Sequence, residues 1–155
     1  MTTTNKAQFL KNELVNKYRS IHPDAAPLWG KMNPHQMIEH MSYSFRQANG
    51  KDSYNCVTPE EHLPRMQAFL MSDKPFRENT PNQLLPDTPP PPVHSNVEDS
   101  LTELQQEIDD FFSVFEKDPG KILTNPFFGE LNYEMWVQLL HKHSWHHLRQ
   151  FGIYD

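Results

Sequence analysis

Four of the nine histidines lie close together near the end of the chain, at His141, His143, His146 and His147. If this stretch is helical, at about 100° per residue, His143 and His147 point the same way, one turn apart. Two such imidazoles can hold one metal ion at about 2.0–2.1 Å. On the same helical wheel His141 and Lys142 point away from that face, and His146 lies at its edge.

A metal ion needs at least one further ligand, and His40 can supply it from a second helix. The helical wheel of that segment places His40 on a polar stripe, as expected for side chains that line a pocket. We therefore expect six residues to contact the ligands or a substrate: Gln36, Tyr43, Ser44, Gln47, His146 and Gln150.

The residues alone leave a second interpretation open. Pairs of histidines four residues apart are common by chance in a histidine-rich chain, and buried neutral histidines are often satisfied by hydrogen bonds. On that view the three rings are structural, or a metal only stabilises the fold.

Four amphipathic segments can position these histidines. Apolar residues recur at three- and four-residue spacing over about residues 5–20, 33–48, 96–117 and from 132 onward. Asn33 and Pro34 are a typical helix start. A shorter helix is predicted near Thr58, with Glu61 completing a capping box. We find no segment with the alternation of a strand.

These segments predict an all-α fold, a four-helix bundle with a long crossover between the second and third helices. An irregular α fold is the alternative. The crossover carries the short helix and a proline-rich arm over about residues 75–95. We expect one domain over residues 1–155. The arm could cover the metal cleft, bridge two subunits or bind a polyproline-recognising domain, and Leu84, Leu85 and Val93 favour the first two.

Composition narrows the functional classes. The chain has 155 residues, 14 Lys and Arg, 20 Asp and Glu, and a formal charge of −6, which argues against nucleic acid as the main partner. No apolar run approaches the roughly 20 residues of a membrane-spanning helix. One cysteine, Cys56, allows no intrachain disulfide, and the first residues predict no secretory signal. We therefore expect a cytoplasmic protein without a membrane partner.

Two motifs resemble a known family. Residues 125–153, NPFFGELNYEMWVQLLHKHSWHHLRQFGI, closely resemble the C-terminal signature of the DUF1569 family, part of the DinB/YfiT-like superfamily of proposed metalloenzymes. Residues 29–40, WGKMNPHQMIEH, resemble its N-terminal motif. The resemblance implies a four-helix bundle with a divalent metal held by His40, His143 and His147. Many members read His-His-Arg-Gly-Gln where this chain has residues 146–150, HHLRQ, so Gln150 keeps its place and Arg149 is displaced.

These observations predict a metal-dependent enzyme that acts on a small molecule. An ion with three imidazole ligands can activate water or a low-molecular-weight thiol, which implies a hydrolase or a thiol transferase. Zinc or nickel is expected as the bound ion ahead of iron or copper. A homodimer is one arrangement that the sequence leaves open. No general base is evident, since Glu39 points about 100° away from His40. The alternative is a non-catalytic helical bundle.

Overall fold

The computed structural model describes residues 2–78 and 88–154. Within these ranges it has six α-helices and one small antiparallel sheet. The helices are α1 (Thr3–Asn12), α2 (Leu14–Arg19), α3 (Pro34–Ala48), α4 (Leu63–Met71), α5 (Val97–Lys117) and α6 (Tyr133–Gln150), and the strands are β1 (Leu123–Asn125) and β2 (Gly129–Leu131).

Asparagine caps begin the three helices that matter most for the site. Asn33, Asn96 and Asn132 each accept a hydrogen bond from the backbone amide three residues later. At α3 the Gln36 side chain returns a bond to the Asn33 amide, which completes a capping box. These starts confirm the predicted positions of α3, α5 and α6.

The first predicted helix is in fact two. Glu13, with φ −123°, separates α1 from α2, although the apolar stripe continues across the break and is buried on both sides. The prediction missed the break because periodicity records which residues are buried and not whether the backbone between them stays helical.

The predicted capping box at Thr58 is wrong. Thr58 donates its hydroxyl to the Phe127 carbonyl at 2.7 Å. A 3₁₀ turn at Glu60–His62 precedes α4, and no side chain caps either one. The Thr58 hydroxyl, which the capping box would use at the helix start, is therefore engaged in a tertiary hydrogen bond instead.

The expectation of no strand is also wrong. β1 and β2 form a hairpin in which Leu123 pairs with Leu131 and Asn125 with Gly129. Gly129 has φ +80°, which a glycine adopts without strain. Strands of three residues are too short to show a period-2 pattern.

The helices pack so that α3 lies mainly against α5, and α1 against α6. Contacts between α3 and α6 are fewer, and this seam is where the predicted ligands face each other. The core between the helices is apolar, with Met37, Phe45, Phe111, Leu140 and Trp136 among its fully buried members. No helix in the described ranges has the length and apolarity needed to cross a membrane.

The proline-rich arm is only partly described. Leu84 and Leu85 lie outside the described residues. Val93, expected to dock on an apolar surface, is 89% exposed, so that expectation is wrong for this residue. The described end of the arm is held on α3 by polar contacts: Glu39 accepts hydrogen bonds from the amides of Val93 (2.7 Å) and His94 (3.0 Å), and Gln36 donates to the Pro90 carbonyl at 3.2 Å.

Candidate metal centre

Three imidazole rings from two helices meet at one point. His40 comes from the middle of α3, and His143 and His147 from consecutive turns of α6. Nε2 of His143 lies 3.1 Å from Nε2 of His40 and 3.0 Å from Nε2 of His147. One nitrogen from each ring lies within 4.8 Å of the other two. Three histidines this close could hold a metal ion.

Hydrogen bonds on the far side of two rings orient their inner nitrogens. Nδ1 of His147 lies 2.8 Å from Oε1 of Gln150, while the Gln150 amide nitrogen donates to the Trp29 carbonyl at 3.0 Å. The amide is therefore oriented with its oxygen toward the ring, so Nδ1 carries the proton. This assignment leaves a lone pair on Nε2 of His147, directed at the centre.

Ser44 fixes the second ring in a similar way. Its Oγ lies 3.3 Å from Nδ1 of His143 and 3.3 Å from the His40 carbonyl. A hydroxyl has one proton, and donating it to the carbonyl leaves the oxygen to accept from Nδ1. Nε2 of His143 then also presents a lone pair to the centre. Two lone pairs 3.0 Å apart repel each other unless a cation lies between them.

Burial keeps the rings uncharged. It lowers the pKa of His40 to about 4, and it lowers those of His143 and His147 well below the ordinary value, with the neighbouring imidazoles acting in the same direction. Neutral imidazole is the form that binds metal. His147 is buried, whereas His40 and His143 keep part of their surface exposed.

The three rings fit a divalent ion on these grounds. Two nitrogens bound to one ion at about 2.0–2.1 Å lie about 3 Å apart, which matches the spacing of Nε2 of His143 from Nε2 of His40 and of His147. Neutral imidazoles suit zinc and other borderline metals.

A comparison with protein-family models matched the DinB superfamily over residues 22–151. The chain belongs to the DinB superfamily. Proteins of this superfamily often bind metal. A search of curated proteins and a search of solved structures found no match. The matched range includes His40, His143 and His147 and spans the whole of α6.

In this DinB superfamily member the other predicted site residues have different surroundings. Ser44 and Gln150 contact the rings of His143 and His147 directly. His146 lies beside them, with its ring centre 5.1 Å from that of His147. The Tyr43 ring stacks on His40 at 6.4 Å. Gln36 instead caps α3 and holds the arm.

Tyr43 and Gln47 form a small polar region with Tyr54. The Tyr43 and Tyr54 rings meet edge to face at 6.0 Å. Burial, followed by contact with Tyr54, raises the pKa of Tyr43 to about 12, so the phenol stays protonated, and Gln47 acts on it in the opposite direction. Gln47 is 9% exposed, and contact of either residue with a substrate stays a prediction.

Two aromatic residues at the centre were not predicted as site residues. Phe76 places its ring edge against His143 (5.9 Å) and His146 (5.8 Å), and the Trp29 ring lies 5.3 Å from that of His146. Trp29 is the first residue of the N-terminal motif over residues 29–40, so the motif could have identified it as a site residue. Phe76 lies in a loop without helical or strand periodicity, and no sequence motif points to it as a site residue.

The wheel was wrong about His141 and Lys142. Both were expected to point away from the protein body, but Lys142 is buried and the His141 ring packs on Phe9 at 5.4 Å. The reason is that α6 is covered on more than one side, by α1 as well as by α3 and α4.

Proposed function

We propose that this protein is a metal-dependent enzyme in which His40, His143 and His147 hold one divalent ion next to a small-molecule substrate. The observation that carries the proposal is the convergence of three neutral imidazoles, two of which have their outer nitrogens already engaged in hydrogen bonds. Such hydrogen bonds orient metal-binding histidines in proteins generally. A ligand set of three imidazoles leaves open positions on a metal, as in catalytic sites.

When bound, the ion would supply Lewis acidity that brings the pKa of water towards about 7 or ionises a thiol. The chain's own contribution is to hold three uncharged donors, to fix the tautomers of His143 and His147 through Ser44 and Gln150, and to place aromatic rings beside them. We propose a hydrolase or a thiol S-transferase acting with a low-molecular-weight thiol.

Glu39 is unsuited to act as the general base. Its carboxylate accepts hydrogen bonds from the amides of Val93 and His94 and from the hydroxyl of Ser100. These donors lower its pKa although burial opposes them. Glu39 therefore anchors the arm, and its lone pairs are engaged away from the three rings.

We further propose the finer assignments that the sequence suggests. The chain would belong to the DUF1569 branch and form one four-helix bundle domain over residues 1–155, with α1 and α2 acting together as the first helix. Zinc or nickel would be the resident ion ahead of iron or copper. The protein would be cytoplasmic, and a homodimer is an arrangement to test by light scattering.

Metal content tests the ligand assignment. Protein purified without a histidine tag should contain about one equivalent of a divalent metal, because three convergent imidazoles form a high-affinity site. The variant His143→Ala should lose it. The matched control is His62→Ala, which removes an exposed histidine outside the cluster. Equal metal content in wild type and His143→Ala would contradict the proposal.

A second experiment separates an enzyme from a structural metal site. Cobalt-substituted protein should change its visible spectrum when a small thiol or an anion is added, since an open position accepts a new ligand. A screen of electrophilic substrates with and without thiols, on metal-loaded and chelated protein, then distinguishes transferase from hydrolase. An unresponsive spectrum together with an inactive screen would favour the non-catalytic bundle.

A further inference from the structure

Lys142 is a charged side chain in the interior of the protein, 7% exposed. Its ammonium group donates to the carbonyl oxygens of Phe69 (3.3 Å), Ser72 (2.9 Å) and Lys74. It also lies 4.6 Å from the centre of the Phe69 ring. A lysine ammonium has three N–H donors, and three carbonyls are available to accept them here.

These carbonyls belong to the end of α4 and to the turn that follows it. α4 ends at Met71, and the last carbonyls of a helix lack partners within the helix and form the negative end of its dipole. A cation at this end is favourable. Gln138, one turn before Lys142 on α6, donates to the same Ser72 carbonyl at 3.2 Å. Two side chains of α6 therefore fix this turn.

Phe76 lies two residues beyond the last of these carbonyls. Its ring stands nearly perpendicular to those of His143 and His146, at 87° and 89°. Its other neighbours are the rings of Phe69 at 5.8 Å and Phe128 at 6.4 Å. The turn that Lys142 holds therefore leads directly into an aromatic side chain on one side of the three-histidine centre.

We propose that Lys142 is a positioning residue that holds the turn of residues 72–75 so that Phe76 forms one wall of the centre. The wall limits access to His143 and His146 from that side. The consequence for catalysis rests on the proposed function: a fixed aromatic wall beside the ion admits small reactants more readily than bulky ones.

A lysine needed only for stability would behave differently. Its loss would loosen the protein without acting through Phe76, so its effect would add to that of removing the Phe76 ring. If Lys142 acts through Phe76, the two substitutions remove the same wall, and the double variant should resemble the stronger single one.

The test uses metal-free full-length protein, so it does not depend on metal binding. The rate at which diethyl pyrocarbonate modifies His146 is measured by mass spectrometry for wild type, Phe76→Ala, Lys142→Met and the double variant. Lys51→Met is the matched control, because it removes a half-exposed lysine that pairs with Glu107 and Asp110. Circular dichroism verifies that each variant is folded, and Lys142→Gln, which keeps two donors, replaces Lys142→Met if the latter does not fold.

We expect both single substitutions to increase the rate of His146 modification several-fold, the double variant to add nothing, and the control to match wild type. Amide exchange in residues 70–78 should rise in the Lys142 variant. An unchanged rate in Phe76→Ala would show that there is no wall, and additive effects or an unchanged rate in the Lys142 variant would overturn its positioning role. Failure of the proposed function would appear separately, as an absence of bound metal in wild type.

Discussion

Helix α3 has two polar faces, and they place histidines in opposite electrostatic environments. On the face toward α6, His40 meets two other imidazoles, and burial lowers its pKa to about 4. On the face toward α5, Glu39 and Arg46 join a network of charges that includes His94, whose pKa is raised by a hydrogen bond to Glu103. The same residue type is held in its neutral form in one place, whereas in the other a carboxylate partner favours its charged form.

The difference comes from the partners. The centre offers its histidines an amide oxygen and a hydroxyl, which orient the rings and add no charge. The network offers carboxylates: Arg46 lies 2.5 Å from Glu103 and 3.3 Å from Asp52, and Lys51 lies 2.7 Å from Glu107. Burial among neutral groups suits imidazoles for binding metal, whereas carboxylate partners commit side chains to ion pairs.

The largest expected effect follows from breaking the charged network at Glu107. This side chain is 7% exposed and accepts hydrogen bonds from Asn49 at 3.1 Å and from Lys51. The variant Glu107→Ala should lower the free energy of unfolding by about 3 kcal/mol, because it removes two hydrogen bonds to a buried carboxylate, one from Asn49 and one from Lys51, and bonds to charged groups contribute about 1.5–3 kcal/mol each. Urea denaturation of metal-free protein measures the change.

Glu98→Ala is the control for this prediction. Glu98 pairs with Arg19 at 3.0 Å, but the two side chains are 64% and 45% exposed. Exposed pairs contribute about 0–1 kcal/mol. Similar losses in the two variants would mean that burial does not distinguish Glu107 from a surface carboxylate.

The sequence alone predicted those features of the fold and the site that depend on the spacing of residues close together in the chain. The predicted starts of α3, α5 and α6 are confirmed, and each lies at an asparagine cap, because a helix start depends on residues only three apart. The meeting of His40, His143 and His147 was reached from helical wheels together with a family resemblance. The helical wheels identified the faces of α3 and α6 that carry the histidines, and the family resemblance indicated that these two faces meet.

The features that the sequence could not predict depend on contacts between segments that are far apart in the chain. Lys142 looks like a surface residue on a wheel, yet it lies under the turn after α4. Thr58 looks like a helix cap, yet it bonds to Phe127. Phe76 reaches the centre from a loop. In each case a residue far away in the chain decides the outcome, and single-sequence patterns contain no such information.

The neutral centre can be tested through Gln150. The variant Gln150→Leu removes the acceptor for Nδ1 of His147, so the ring is no longer held in the tautomer that binds metal. We expect metal affinity to fall about 10- to 100-fold, in line with other hydrogen-bond partners of metal ligands. Competition with a chromophoric chelator gives the dissociation constant.

Two further variants sharpen this test. Ser44→Ala should weaken metal binding less than Gln150→Leu, because the Ser44 contact with His143 is longer, 3.3 Å against 2.8 Å. Gln47→Leu changes a buried glutamine on the same face of α3 and should leave affinity unchanged. If Gln150→Leu binds metal as tightly as wild type, the tautomer assignment for His147 is wrong.

The smallest expected effect concerns the pH dependence of the His94–Glu103 pair, joined at 2.8 Å. Glu103 raises the pKa of His94, so the stabilisation from His94 is complete below its ordinary value of 6.5 and is lost as pH rises through the raised value. His94 and Arg46 lower the pKa of Glu103 against the effect of burial, so its stabilisation is complete above 4.5 and is lost as pH falls. The pair should therefore stabilise the fold most between about pH 4.5 and 6.5.

A double-mutant cycle of His94→Gln and Glu103→Gln, measured by urea denaturation of metal-free protein, should give its largest coupling at about pH 5.5 and a smaller one at about pH 9. A coupling that is constant over this range would show that His94 is not charged by its carboxylate partner, and the contrast between the two faces of α3 would then rest on the lysine and arginine pairs alone.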